Sequence, residues 1–188
     1  MTVVQVAPGL WRWTAPHPDW VEDDDWPREV GCIYYEAPDA IVLIDPLVPP
    51  ERERFFAALD ADVARLGLPV KILLTVSWHD RSAAELIDRY EARRGAPPGG
   101  VVEFPIPEVD ETVYWIPQHL AVVVGDTLLG DEQEGLGLSP ESWIEGKSRN
   151  AVRRSLQALL DLPVEHVLTS HGEPVLGEGR AALARALQ

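Results

Sequence analysis

Residues 70–81 constrain this chain more than any other segment. Val70-Lys71-Ile72-Leu73-Leu74-Thr75-Val76 is almost wholly apolar, and Ser77-Trp78-His79-Asp80-Arg81 follows it directly. So short an apolar run predicts a strand over Val70–Val76 that is covered on both faces, and such strands sit inside layered α/β folds. The next residues, Ser82–Arg94, predict a helix with Ala83, Leu86, Ile87 and Tyr90 on one side. A strand that feeds a helix through a turn bearing His79, Asp80 and Arg81 places chemistry-bearing side chains at a strand end.

Strands and helices alternate along the rest of the chain in two halves. Thr2–Val6 and Leu10–Thr14 read as strands around the turn pair Pro8-Gly9. A polar, acidic loop occupies residues 15–29 and carries Trp20 and Trp26. Val30–Glu36 and Ala40–Asp45 form a predicted hairpin. Residues 51–66 carry Phe55, Phe56, Leu59, Val63 and Leu66 at helical spacing. In the second half, Val101–Phe104, Thr112–Ile116 and Leu120–Val124 read as strands. A Gly-rich acidic stretch at 131–146 precedes a helix over Asn150–Asp161, a strand over Glu165–Thr169 and a closing helix over Gly179–Leu187. Each half has hairpins first and helices after. No linker or repeat divides the sequence, so one domain over residues 1–188 is expected, with two mixed sheets face to face and helices outside.

Composition excludes several functions. The net charge of −15 argues against nucleic acid and anionic membrane as partners, since both require a basic face. No stretch approaches the length of a membrane span, and no signal-type segment opens the chain, so a cytoplasmic protein is expected. Cys32, the single cysteine, lies in a strand-like run without an activating neighbour and reads as a buried core residue. There is no Gly-x-Ser-x-Gly, no phosphate-binding Gly-rich loop, no Cys-x-x-Cys and no His-Glu-x-x-His.

Four segments carry a resemblance. Ile41-Val42-Leu43-Ile44-Asp45 is a strand ending in Asp. Thr75–Arg81 holds the His-Asp turn. Val122-Val123-Val124-Gly125-Asp126 is a strand ending in Gly-Asp. Val167-Leu168-Thr169-Ser170-His171-Gly172 is a strand ending in His-Gly. In this order and spacing they resemble the metallo-β-lactamase superfamily, whose strand-end motif is apolar-Thr-His-x-His-x-Asp-His. The resemblance spans nearly the whole chain and implies a four-layer αββα sandwich. It also implies a dinuclear zinc site with seven ligand positions, in which a shared water is activated for attack on a carbonyl or phosphate.

In that frame three positions match: Asp80, Asp126 as the bridging carboxylate, and His171. Val76, Trp78 and Arg81 stand where the family has histidines, and the fourth histidine position falls near Pro107-Glu108. Valine has no ligand atom, and an indole N–H is only a donor. The expectation is therefore a rebuilt site that needs no metal, in which the Arg81 guanidinium pairs with Asp80 and Asp126 as a fixed cation. Trp78, Arg81 and Glu108 are expected to line the inherited cleft, which would take a small-molecule ligand or a protein partner without catalysis.

The alternative is a mononuclear hydrolase of a small ester, thioester or amide. Asp80, Asp126 and His171 would hold one zinc, iron or manganese ion, with His79 or Glu108 completing the shell. A third reading makes His171 or His79 a general base oriented by Asp80 or Asp126. By strand alternation His79 is expected to point away from the site as a hydrogen-bonded strand-end residue. His17, His119 and His166 read as loop or surface residues, and Asp23-Asp24-Asp25 as a solvated run that lacks the Gly turn of a calcium loop.

Overall fold

The computed structural model describes residues 1–131, 135–144 and 146–188. The contacts of the chain divide into two compact units: Met1–Leu74 with Trp78–Gly100, and Thr75–Ser77 with Val101–Gln188.

The first unit is built on a six-stranded sheet with strands in sequence order: β1 (Thr2–Ala7), β2 (Leu10–Pro16), β3 (Glu29–Glu36), β4 (Ile41–Ile44), β5 (Val70–Leu73) and β6 (Arg93–Arg94). β1 to β4 pair antiparallel, while β4–β5 and β5–β6 pair parallel. The parallel pairs require crossovers, supplied by α1 (Arg52–Leu66) and α2 (Ala83–Tyr90). Every residue of β4 is buried, as its unbroken apolar run predicts. α1 sets Phe55, Leu59 and Val63 against Trp13, Leu43 and Ile72. It stops at Gly67, whose left-handed backbone lets its N–H bond to the carbonyl of Val63.

The second unit has a five-stranded sheet in the order β13-β12-β9-β8-β7. Its strands are β7 (Val102–Ile106), β8 (Glu111–Ile116), β9 (Ala121–Val124), β12 (His166–Thr169) and β13 (Val175–Leu176); β9 and β12 are parallel. β10 (Leu128–Asp131) and β11 (Gly135–Leu138) form a separate hairpin. α3 (Arg149–Leu156) starts at Ser148, whose hydroxyl accepts from the N–H of Ala151. α4 (Gly179–Ala186) packs Ala182 and Leu183 into a core with Val122, Val124, Val152 and Val167.

Three expectations shift. The strand expected over Val70–Val76 ends at Leu73, because the last ladder bond to β4 is Asp45 N–H to the carbonyl of Leu73. Beyond it the carbonyl of Thr75 accepts from Thr112 N–H at 2.7 Å, and residues 77–80 form a 3-10 turn. The helix expected to Arg94 ends at Tyr90, because Glu91 is left-handed and Arg93–Arg94 join the sheet beside Lys71 and Ile72. The Gly-rich acidic stretch 131–146, for which the sequence predicts no strand or helix, contains β11 and a 3-10 turn over Glu141–Ile144; residues 132–134 and 145 lie outside the described residues. No helix among the described residues is long and apolar enough to cross a membrane.

Candidate metal-binding residues

In the first unit, β4 runs into Asp45, which is buried with its backbone at φ 50°. The 3-10 turn after β5 brings His79 onto it, with Nδ1 2.9 Å from Asp45 Oδ2 and His79 only 4% exposed. A carboxylate accepts from Nδ1–H, so it selects the tautomer and orients Nε2 as the donor atom for a ligand. His79 is thus hydrogen-bonded at the strand end, as expected, but it is buried on a turn rather than carried on extended strand. The turn is helical rather than extended, so strand alternation does not govern where its side chains point.

The neighbours of His79 behave differently. Asp80 is exposed, as is Trp78 at 58%. Arg81 turns back with φ 33°, and its Nη1 donates to the carbonyls of Gly31 (3.1 Å) and Asp45 (2.9 Å). Among the described residues no ion pair joins it to Asp80. The Arg81–Asp80 pairing expected from the sequence is therefore replaced by a structural tie from α2's approach to β3 and to the end of β4. Cys32 lies at 3.8 Å from the same nitrogen and accepts from Leu47 N–H at 3.3 Å. Burial pushes its thiol up to about 11, against the lowering effect of Arg81. The cysteine is thus the inert core residue its neighbourhood predicts.

In the second unit, β9 and β12 are parallel and end side by side, so Asp126 and His171 emerge at the same edge. Asp126 Oδ1 lies 3.3 Å from His171 Nε2. Trp143 sets its ring edge-on to His171, with centroids 5.2 Å apart and planes at 77°. Beneath Asp126 is a carboxylate that sequence reading missed. Glu111, at the start of β8, is 2% exposed and accepts four hydrogen bonds. Its Oε1 takes Gly125 N–H (3.0 Å) and Thr127 Oγ1–H (2.7 Å), and its Oε2 takes Asp126 N–H and Thr127 N–H (both 2.8 Å). Burial pushes its pKa up to about 7, with Asp126 adding to the rise and the bonds from Thr127 and Gly125 opposing it. Gly125 is required by the same packing. A Cβ there would stand 2.5 Å from Thr75 Oγ1 and 3.3 Å from Glu111 Cδ.

The remaining candidates lie apart from this chemistry. Ser155 Oγ donates to both oxygens of Glu108 at 2.9 Å, which ties that carboxylate to α3 rather than leaving it as a substitute ligand. His17 packs edge-on against Trp26, and Trp20 Nε1 donates to the carbonyl of Trp26. Trp26 also packs against the first unit's core, so the acidic loop's tryptophans anchor the loop. Asp24 accepts from Val21 N–H within that loop. His119 ends a 3-10 turn after β8, where burial lowers its pKa, and His166 accepts from Gly177 N–H.

Solved structures with the same chain path decide the fold. A metallo-β-lactamase from Erythrobacter litoralis superposes with a TM-score of 0.67 at 14% identity, over 98% of this chain and 93% of that one. One from Hirschia baltica gives 0.61 at 15%, over 99% and 95%. One from Pontibacter korlensis gives 0.58 at 15%, over 99% and 96%. This chain has the metallo-β-lactamase fold. The metallo-β-lactamase-like α/β class expected from the four strand-end segments is thus the one observed. No protein-family model matches the sequence, and no curated protein does. At these identities the likeness describes the fold and leaves the chemistry to the side chains.

Proposed function

We propose that this metallo-β-lactamase-fold protein is a mononuclear metal-dependent hydrolase. The candidate ligands for its ion are His79 in the first unit, and Asp126 with His171 in the second. The observation that carries the reading is the buried Asp45–His79 pair. A histidine whose Nδ1 is held by a carboxylate is arranged as metal-binding histidines are, with ring orientation and basicity set from behind. Within the second unit, Asp126 and His171 offer a carboxylate oxygen and an imidazole nitrogen from one strand edge. Imidazole nitrogen and carboxylate oxygen are ligands that suit zinc, and equally iron or manganese.

A bound ion of this kind supplies Lewis acidity and a water of lowered pKa, the means of hydrolysing a small ester, thioester or amide. The chain's own residues do the rest. Asp45 keeps His79 in one tautomer. Glu111 fixes the backbone that presents Asp126. Trp143 shields one edge of His171 and gives an apolar shelf for a substrate. Arg81, engaged with two backbone carbonyls, is taken as structural in this reading.

Protein purified without chelator is expected to carry about one transition-metal ion per chain by elemental analysis. Asp126→Asn and His171→Ala should abolish occupancy. Asp45→Asn should weaken metal affinity by about 10- to 100-fold while the fold is retained. A folded chain that takes up no ion from solutions of zinc, iron or manganese would return the protein to the metal-free ligand-binding reading. Stoichiometric metal without turnover of p-nitrophenyl esters or acyl thioesters would keep the metal site and remove the hydrolase.

A further inference from the structure

Outside the candidate metal ligands, the second unit holds a concavity of about 640 Å³ between β11 and the two helices that flank it. Arg149 and Arg153 of α3 and Arg185 of α4 line it, together with Leu136, Leu138 and Ala186. No Asp or Glu is among the described residues that line it.

That composition is unusual for this protein. Acidic residues outnumber basic ones by 31 to 16, and three arginines of the first unit are paired with them: Arg52 with Glu85, Arg65 with Glu36 and Asp62, and Arg89 with Asp60. None of the three arginines at the concavity is in a salt bridge with a described residue. Arg149 donates to the carbonyl of Leu138 (3.2 Å) and Arg153 Nη1 to Asn150 Oδ1 (3.4 Å), both uncharged acceptors. Arg153 Nε is buried without a hydrogen-bond partner among the described residues. Arg149 and Arg153 are also four residues apart on one helix face, where like charges repel by a few tenths of a kcal/mol. A desolvated guanidinium nitrogen and converging like charges are both relieved by a bound anion.

We infer that this concavity is a binding site for a small organic diphosphate. Planar guanidinium groups match phosphate oxygens two at a time, and three of them balance the charge of a diphosphate near neutral pH. The volume exceeds what an inorganic ion fills and lies within the range of small-molecule sites. Leu136, Leu138 and Ala186 give the organic part an apolar wall.

Calorimetric titration of the full chain tests this with ADP, inorganic pyrophosphate, adenosine and citrate. ADP and pyrophosphate are expected to bind saturably at one site, and adenosine not at all. Arg153→Gln and Arg185→Gln should each weaken ADP by about tenfold, the loss of one charge-assisted contact, while Arg52→Gln should leave it unchanged. Because a diphosphate also coordinates metals, the arginine variants decide: ADP affinity unaffected by both overturns the site. So does the absence of saturable binding. Citrate binding as tightly as pyrophosphate would overturn the assignment to phosphate. Should Arg153→Gln fail to fold by circular dichroism, the exposed Arg185 on the last turn of α4 carries the test alone.

Discussion

Glu111→Ala is expected to destabilise the protein by about 4 kcal/mol, because it strips the acceptor from three buried backbone N–H groups and a hydroxyl at once. In a chain of this size that corresponds to roughly 8–16 °C in melting temperature. Glu111→Gln behaves differently. Its amide oxygen can accept from Asp126 and Thr127 N–H, and its NH2 can donate to the Thr127 hydroxyl once that rotates, leaving the N–H of Gly125 opposed by a donor. The cost at pH 5 should be about 2 kcal/mol. The folded pKa of Glu111 is raised to about 7, so the stability its protonated form contributes is fully present below the unfolded value near 4.5 and is lost as pH rises through 7. Neither variant titrates at this position, so both penalties should fall by about 2–3 kcal/mol between pH 5 and pH 8: that of Glu111→Gln from about 2 kcal/mol to about zero, and that of Glu111→Ala from about 4 to about 1–2 kcal/mol. Urea unfolding of chelator-treated protein at pH 5, 6, 7 and 8 measures both trends. A Gln penalty that grows with pH would mean that Glu111 is held as a carboxylate.

The difference between Asp45 and Glu111 shows how far a sequence reading reaches. Asp45 ends an apolar strand, and that position alone gave it away as a landmark. Its partnership with His79 depended on a 3-10 turn that the apolar run Val70–Val76 disguised as continued strand. Once the turn is helical, His79 is buried and Asp80 exposed, the reverse of what period-two alternation predicts. Glu111 left a fainter signal: an acidic residue opening the otherwise apolar Thr112–Ile116 strand, with Gly125 and Thr127 flanking Asp126 fourteen to sixteen positions later. Nothing local links those positions; only the pairing of β8 with β9 does. Arg81 illustrates the opposite error. A cation at a ligand position is naturally assigned to the carboxylates beside it in sequence, yet backbone carbonyls at the ends of strands are equally strong acceptors, and here they hold it. The fold was legible because four strand ends in a fixed order survive large sequence change. The orientation of individual side chains was not, because it turns on single-residue backbone geometry.

That dependence bears on how Asp126 and His171 are presented. Neither residue is on a long rigid element. Asp126 follows a four-residue strand and is fixed by the Glu111 cradle, while His171 follows another and is fixed by the loop after it. The Gly130 N–H donates to the carbonyl of His171 at 2.9 Å, so β10 grips the histidine's own peptide. The strand edge is thus held by two separate backbone clamps, one for each residue, and each clamp has a glycine where no side chain fits.

Gly172→Ala tests the second clamp. Gly172 has φ 77°, and a Cβ on it would stand 2.1 Å from the carbonyl oxygen of Gly130 and 2.8 Å from its carbon. Both are backbone atoms, so relief requires β10 to separate from the 171–173 loop and the Gly130–His171 hydrogen bond to break. Left-handed strain alone costs an alanine about 1–2 kcal/mol; the steric contact should bring the total to about 4 kcal/mol or more. Gly177→Ala separates the two contributions, since Gly177 has φ 90° and nothing within 4 Å of its added Cβ. That variant should lose only the strain. Thermal melts of the pair are expected to differ by roughly 4–8 °C or more. Because the broken bond belongs to His171, Gly172→Ala should also lower metal uptake by at least about tenfold where Gly177→Ala does not. Equal melting temperatures for the two variants would show that β10 and the loop can part at little cost, and that the histidine is positioned by Trp143 and Asp126 alone.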